Sequence, residues 1–295
     1  MSFQQILVLG AGAVGSSYGA LLSRKNNVTL IGNAAHIQAI NSDGLILSGD
    51  STGNFAVKAQ TKTEDIPSDT LLLLTTKAYD LASATVGIRD LLKKDTVILI
   101  LQNGLGIKEL VEGIVGNDIE VVRGLAMIGA EFPEPGKIIF RNGETILEPT
   151  KTAERIGEMF NGCGLKTRIS KQFHEEVWGK LVMNCVVNPL TAIFQVRNNE
   201  IGANSLMRLR HMIMEECVRV GKAEGIKFKP NLKESIGKKI LGYKNFSSMC
   251  QDLMKRKKTE IDFLNGKIVE LGKKHGVPTP INEALVCMVK FLEGK

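Results

Sequence analysis

Residues 6–15 read ILVLGAGAVG, and no other stretch limits the fold as strongly. A short apolar run ends in glycines at 10, 12 and 15, and a helical pattern over residues 14–25 opens on the last of them. A bare GxGxxG is weak. One that closes a predicted strand and opens a predicted helix, within a unit of about 30 residues, is the fingerprint of a dinucleotide-binding turn. Gly10 permits the tight turn, Gly12 lets the backbone approach a pyrophosphate, and Gly15 lets the helix pack on the strand. Ala11, Ala13 and Val14 complete the loop, and the helix N-terminus supplies amide donors and a partial positive charge. A glycine turn without a ligand is the plainer alternative.

The rest of the first half alternates in the same way. VTLIG (28–32), TLLLLTT (70–76), TVILILQ (96–102) and VVRGLAMI (121–128) read as further strands, with crossovers over 34–42, 79–92 and 106–115. That alternation predicts βαβ units and a parallel sheet. In KIIFRNGETILEP (137–149) two alternating runs flank Asn142 and Gly143, a type I′ hairpin signal, so an antiparallel pair is expected to extend the sheet. In such folds ligands bind at the carboxyl ends of the strands. Lys77 and Asn103 occupy two such ends, and each reads equally as a ligand contact or as ordinary loop chemistry. The second strand leads into Gly32, Asn33, Ala34 and Ala35, with no Asp or Glu to favour NAD and no Arg to take a 2′-phosphate. Asn33 can hydrogen-bond either ribose, so the residues alone leave the cofactor open.

After about residue 170 strand signals stop. Helices are predicted over 172–194, 200–224, 230–242, 248–274 and 281–293, with Gly225 and Gly276 as C-terminal caps. The expected organisation is α/β: a Rossmann-type dinucleotide-binding domain over 1–168, then an all-α domain over 169–295. Residues 1–150 carry 12 basic and 16 acidic side chains, leaving 26 and 15 of the chain's 38 and 31 for the remainder. A basic second half admits nucleic acid, an anionic surface or a small anionic ligand. Its KRKK run at 255–258 has no interleaved aromatics and falls in a helical pattern, which reads as a solvated helix face. No apolar run reaches the roughly 18 residues of a membrane span, and no basic segment precedes residues 6–22 as a signal peptide would require. Five widely spaced cysteines without a CxxC pair suit a reducing cytoplasm, and four scattered histidines argue against a metal.

One predicted helix is unusual. In WGKLVMNCVVNPLTA (178–192) the sequence is apolar nearly all round, yet Lys180, Asn184 and Asn188 recur at a spacing of four, one row on a helix. An unpaired buried ammonium costs several kcal/mol and an unsatisfied amide about 1–3 kcal/mol. The row must therefore meet partners, water or a ligand; a hydrogen-bond ladder between helices with a snorkelling lysine is the structural alternative. Two more groups could join it. Asn245 and Ser248 stand where a long helix opens, Ser248 also fitting a capping box with Gln251, and Glu260 lies beside an apolar stripe where a solvated rim charge is the ordinary reading.

GAGAVG, LLLTTKAYD, QNGLG, the WGKLVMNCVVNPLTA helix, NFSSMCQD and KKTEIDFLNGKIVELGKKHGVPTP together resemble the ketopantoate reductase (2-dehydropantoate 2-reductase) family over nearly the whole chain. The resemblance implies reduction of 2-dehydropantoate to (R)-pantoate, on the route to pantothenate and coenzyme A. It makes Lys180 the general acid at the ketone oxygen, with Glu260 a second catalytic group on the nicotinamide ribose side. Asn103, Asn184, Asn188 and Asn198 become substrate contacts, with Asn245 and Ser248 at the substrate carboxylate. The cofactor would lie along residues 10–15, Asn33, Lys77, Asn103, Ala130 and Glu260. NADPH is the implied donor, but Asn33 replaces the arginine common after the second strand, which opens the site to NADH. The expected partner is a small 2-keto acid, with a homodimer compatible and neither nucleic acid nor membrane called for. Two other readings are an NADH-dependent reductase of another branched 2-keto acid and a redox sensor that binds dinucleotide without turnover.

Overall fold

A computed structural model describes residues 3–295. The chain divides into two compact units, one running to Gln102 and resuming over Gly106–Phe173, the other formed by Asn103–Leu105 and His174–Lys295.

In the first unit the elements follow as β1 (Gln5–Leu9), α1 (Ala13–Leu22), β2 (Val28–Ile31), α2 (Ala34–Asp43), β3 (Leu45–Gly49), β4 (Gly53–Phe55), β5 (Lys58–Gln60) and β6 (Thr70–Leu74). Then come α3 (Leu81–Ile88), β7 (Val97–Ile100), α4 (Ile107–Val115), β8 (Glu120–Ala126), β9 (Gly129–Glu134), β10 (Lys137–Arg141), β11 (Thr145–Leu147), α5 (Ala153–Gly162) and β12 (Thr167–Ile169). Eight strands form one sheet in the order β12-β11-β8-β7-β6-β1-β2-β5. The pairs from β5 to β8 are parallel, as the unbroken apolar runs predict for strands covered on both faces. The chain leaves β1 toward β2 on one side and returns through β6 on the other, so the sheet order reverses at the carboxyl ends of β1 and β6, where such folds bind ligands. This is the Rossmann-type arrangement expected from the glycine loop.

The hairpin expected over 137–149 does not form. β10 pairs with β9 and β3 in a separate four-stranded sheet, while β11 pairs with β8 and β12 in the large one. A type I′ turn needs positive φ at both central residues, and neither Asn142 nor Gly143 has it. Gly143 serves instead as a close-packing point: a Cβ there would lie 2.2 Å from the Met127 carbonyl oxygen. Asn142 is held by its N–H donating to Asp50 at 2.9 Å, so the segment crosses between the sheets instead of reversing.

In the second unit α6 (Phe173–Phe194) is followed by two 3-10 turns, then α7 (Met207–Ala223), α8 (Leu232–Gly242), α9 (Ser248–Met254), a 3-10 turn at Ile261–Phe263, α10 (Asn265–His275) and α11 (Pro280–Glu293). Leu181, Val182, Cys185, Val186, Ile213, Cys217, Ile268 and Val289 form the centre of its core. α6 has the length and composition of a membrane span, but 78% of the window is buried in this unit, as befits a core helix. Two helical expectations change. The 200–224 helix begins only at Met207, because Arg210 donates to the carbonyls of Ile201 and Ala203 and stabilises the two preceding 3-10 turns. The 248–274 helix is broken: Lys255 and Lys257 donate their N–H groups back to Asp252, and Arg256 takes a positive φ of 52°. The KRKK run is thus an exposed loop, and not a helix face.

Candidate functional site

The glycine loop has the local geometry its spacing demands. Gly10, with φ +110°, turns the chain off β1, and its N–H and that of Ala11 donate to the Ile31 carbonyl at 3.0 and 2.8 Å. A Cβ on Gly15 would fall 2.3 Å from the Gly10 oxygen and 2.5 Å from Thr75 Oγ1, so this glycine is required by the protein's own packing. Gly12 is different. It is exposed, its φ of −86° is ordinary, and a Cβ there would meet only the Gly10 oxygen, at 4.0 Å. The protein leaves the space over the first turn of α1 clear, with Ala13 and Val14 half-buried beside it. The loop fits a dinucleotide pyrophosphate.

Asn33 caps α2, its Oδ1 accepting the His36 N–H at 3.0 Å. That bond orients the amide and leaves Nδ2 as the exposed edge. His36 is fully buried behind it. Its Nδ1 accepts the Gly136 N–H at 2.9 Å, so Nε2 carries the proton and donates to Ser16 Oγ at 2.9 Å. Burial pushes this imidazole down to about 4, fixing it neutral. Lys77 is half-buried at the end of β6 and heads a 3-10 turn, Ala78–Asp80. Ala130 lies on β9, opposite Phe140 of β10. Asn103 follows β7 but clusters with the second unit, where neighbouring Leu105 packs on the helical core; Gly104 and Gly106 turn the chain there at φ 103° and 74°.

In the second unit the row along α6 deepens as it goes: Lys180 and Asn184 are half-buried and Asn188 is buried. The structure gathers further predicted residues around the deep end. Thr191 donates to the Val187 and Asn188 carbonyls at 2.7 and 3.2 Å and meets Ser247 Oγ at 2.7 Å. Ser247, not Ser248, is the cap of α9, accepting the Cys250 N–H at 3.1 Å, so Ser248 stands exposed in the first turn and its hydroxyl is released from the capping role. Asn198 donates its N–H to the Asn245 carbonyl at 3.0 Å and is buried, with Oδ1 lacking a partner. Hydrogen bonds thus tie the α6 turn at Asn188 to the cap of α9 beside Ser248, and Asn198 to Asn245. Glu260 is buried ahead of the Ile261–Phe263 turn. Its neighbour Thr259 is fastened through N–H and hydroxyl to Glu293 Oε1, at 2.8 and 2.5 Å.

Three residues that sequence reasoning passed over support this arrangement: Thr191, Ser247 and Asn265. Thr191 and Ser247 carry no pattern that marks them. Asn265 was foreshadowed by Pro189, a proline inside an apolar helix, which deprives the Cys185 carbonyl of its usual donor. Asn265 Nδ2 donates to that carbonyl at 2.9 Å.

A Rossmann-type sheet with an open glycine loop, and a helical unit with a cation and amides on a buried helix, define a nicotinamide-dinucleotide-dependent oxidoreductase. Residues 6–152 match the family described as ketopantoate reductase PanE/ApbA, and residues 172–293 match ketopantoate reductase PanE/ApbA C terminal. A 2-dehydropantoate 2-reductase of Pyrococcus horikoshii is 36% identical over 98% of this chain and 97% of its own. A solved PanE/ApbA family ketopantoate reductase from Ralstonia eutropha JMP134 is similar with a TM-score of 0.92 at 30% identity, covering 98% of both chains. The ternary structure of D-mandelate dehydrogenase with NADH and anilino(oxo)acetate is similar with a TM-score of 0.91 at 29% identity, again over 98% of each. The chain belongs to the ketopantoate reductase family, whose members are oxidoreductases acting on a CH–OH group.

Proposed function

We propose that this enzyme reduces 2-dehydropantoate to (R)-pantoate, a step toward pantothenate and coenzyme A, with Lys180 as general acid. The observation that carries the reading is the row on α6, which runs from an ammonium at a half-buried position to a buried amide. The nicotinamide dinucleotide, when bound, supplies the hydride. Negative charge then grows on the ketone oxygen, and the Lys180 ammonium stabilises it and gives up its proton, a contribution typically of about 10²–10⁴-fold. Asn184 and Asn188, one and two turns on, offer amide donors and acceptors to the hydroxyl and carboxylate groups of a small polar acid. Asn198 has an unmatched buried oxygen suited to a substrate hydroxyl. Asn245 and Ser248 serve the substrate carboxylate, Asn103 is a further contact, and Glu260 is the second ionisable group of the step. Apolar neighbours on α6, Leu181, Val182, Cys185, Val186 and Val187, are buried and anchor the helix that carries the row.

Gly10, Ala11, Gly12, Ala13, Val14 and Gly15 would hold the pyrophosphate, with Asn33, Lys77 and Ala130 further along the dinucleotide. With Oδ1 committed to the α2 cap, Asn33 presents only amide donors. Donors suit a 2′-phosphate, and the segment that follows β2, Gly32 to His36, contains no Asp or Glu to repel it, so NADPH is the favoured donor. Without an arginine clamp, NADH is admitted too. Asn33→Asp keeps the capping oxygen and turns the exposed edge into an acceptor, so the NADPH/NADH ratio of kcat/KM should fall at least about tenfold; an unchanged ratio would remove Asn33 as the selector. Lys180→Ala should leave the Kd for NADPH nearly unchanged while kcat falls by about two or more orders of magnitude. Undiminished kcat would sink the assigned role. All five cysteines are free, in keeping with a reducing compartment, and we place the enzyme in the cytoplasm.

A further inference from the structure

Pro189 interrupts the hydrogen-bond ladder of α6 one residue after Asn188. A helix-interior proline leaves the carbonyl four residues back without its donor, and in this helix that carbonyl belongs to Cys185, next to Asn184. A buried carbonyl left unpaired costs about 1–3 kcal/mol. No water is needed to answer it. Asn265, fully buried at the start of α10, spends one amide N–H on the Cys185 oxygen and the other on Asn282 Oδ1, both at 2.9 Å. Asn282, also fully buried, donates its own amide to Glu216 Oε2 at 2.7 Å. The Glu216 carboxylate in turn accepts the N–H groups of Ile281 and Asn282, each at 3.0 Å, in the first turn of α11. A single polar chain thus runs from α7 through α11 and α10 to the turn of α6 that Pro189 leaves one donor short.

Its position ties it to the proposed chemistry. Cys185 is flanked by Asn184, and Pro189 by Asn188, so the bond from Asn265 holds the turn that carries both amides. Asn265 itself lies five residues beyond Glu260, joined to it through the short Ile261–Phe263 turn. We propose that Asn265 is a positioning residue: its two donated hydrogen bonds fix the register between the segment bearing Glu260 and the polar row of α6, and catalysis depends on that register. The proposal rests on the functional reading above and adds to it a residue that touches neither substrate nor cofactor.

The test separates register from mere satisfaction of the carbonyl. Pro189→Ala restores a backbone N–H four residues after Cys185, so in that background the carbonyl stays paired when Asn265 is removed. The enzymes to compare are wild type, Pro189→Ala, Asn265→Ala and the double variant, each assayed with 2-dehydropantoate and NADPH well below its Tm. The double variant should melt above Asn265→Ala, yet keep a kcat at least about tenfold below that of Pro189→Ala, with the Kd for NADPH unchanged. A double variant whose kcat equals that of Pro189→Ala overturns the proposal, because the bond would then serve only folding. Should Asn265→Ala fail to fold, the Pro189→Ala pair decides alone. A wild type without turnover would instead overturn the functional reading and this proposal with it, an outcome distinct from active enzyme that ignores Asn265.

Discussion

Gly12 and Gly15 occupy one loop and do different work. A Cβ on Gly15 collides with the Gly10 carbonyl and Thr75, so Gly15→Ala should destabilise the first unit by about 1–3 kcal/mol in urea unfolding. Gly12→Ala meets no such obstacle, and its melting temperature should stay within about 2 °C of wild type. Its affinity for NADPH should nevertheless fall at least about tenfold, a loss of about 1.4 kcal/mol. Unchanged affinity in Gly12→Ala would place the pyrophosphate elsewhere. His36 makes a prediction of a different kind. Held neutral by burial, it titrates near 4 in the fold against 6.5 when exposed, so the unfolded chain takes up the proton first. Its stabilising share is complete above about pH 6.5 and drains away as the pH falls toward 4, by up to about 3 kcal/mol. Denaturation series between pH 7 and 4 should show that slope, and His36→Gln should flatten it; equal slopes in the two proteins would exclude His36 as the cause.

At the scale of the element, the sequence was legible where one force dominated. The parallel strands β1, β2, β6, β7 and β8 are largely buried and mainly apolar, and the expected runs lie within a few residues of the observed bounds. The four-stranded sheet, in the order β4-β3-β10-β9, has no such signature, since β4 spans only three residues and is largely exposed and β9 is nowhere fully buried. Asn142 and Gly143 misled for a tertiary reason: the crowding of Gly143 against Met127 decided its backbone, and turn propensity did not. The break between α9 and α10 likewise depends on backbone donors returning to Asp252, a contact with no periodic signature. α9 also shows how little separates two readings of a cap. Ser247 and Ser248 are adjacent, and the choice falls on Ser247 because Thr191 on α6 engages it. Ser247→Ala removes the cap and that link together and should cost about 1–2 kcal/mol, measured by urea unfolding. A loss below about 0.3 kcal/mol would mean that the cap contributes little to the assembly around Asn188.

Across the whole molecule, two kinds of information lie in different places. The class of enzyme could be read from local patterns: a glycine loop between a strand and a helix, and a polar row at a spacing of four on an apolar helix. What holds those patterns in working shape is non-local and was hidden. The bond between Asn265 and Cys185 spans 80 residues of sequence, that between Glu216 and Asn282 spans 66, and neither partner advertises the other. Resemblance to the ketopantoate reductases supplied roles for single residues that spacing left open, as for Lys77 and Asn103. The basic balance of the second half suits the acid proposed as substrate. The most direct measurement is absorbance at 340 nm with 2-dehydropantoate, NADPH and NADH run in parallel, wild type beside Lys180→Ala. Wild type should turn over, faster with NADPH, and the variant should lose about two or more orders of magnitude in rate. Wild type that consumes neither cofactor with this substrate, or a variant as active as wild type, would contradict it.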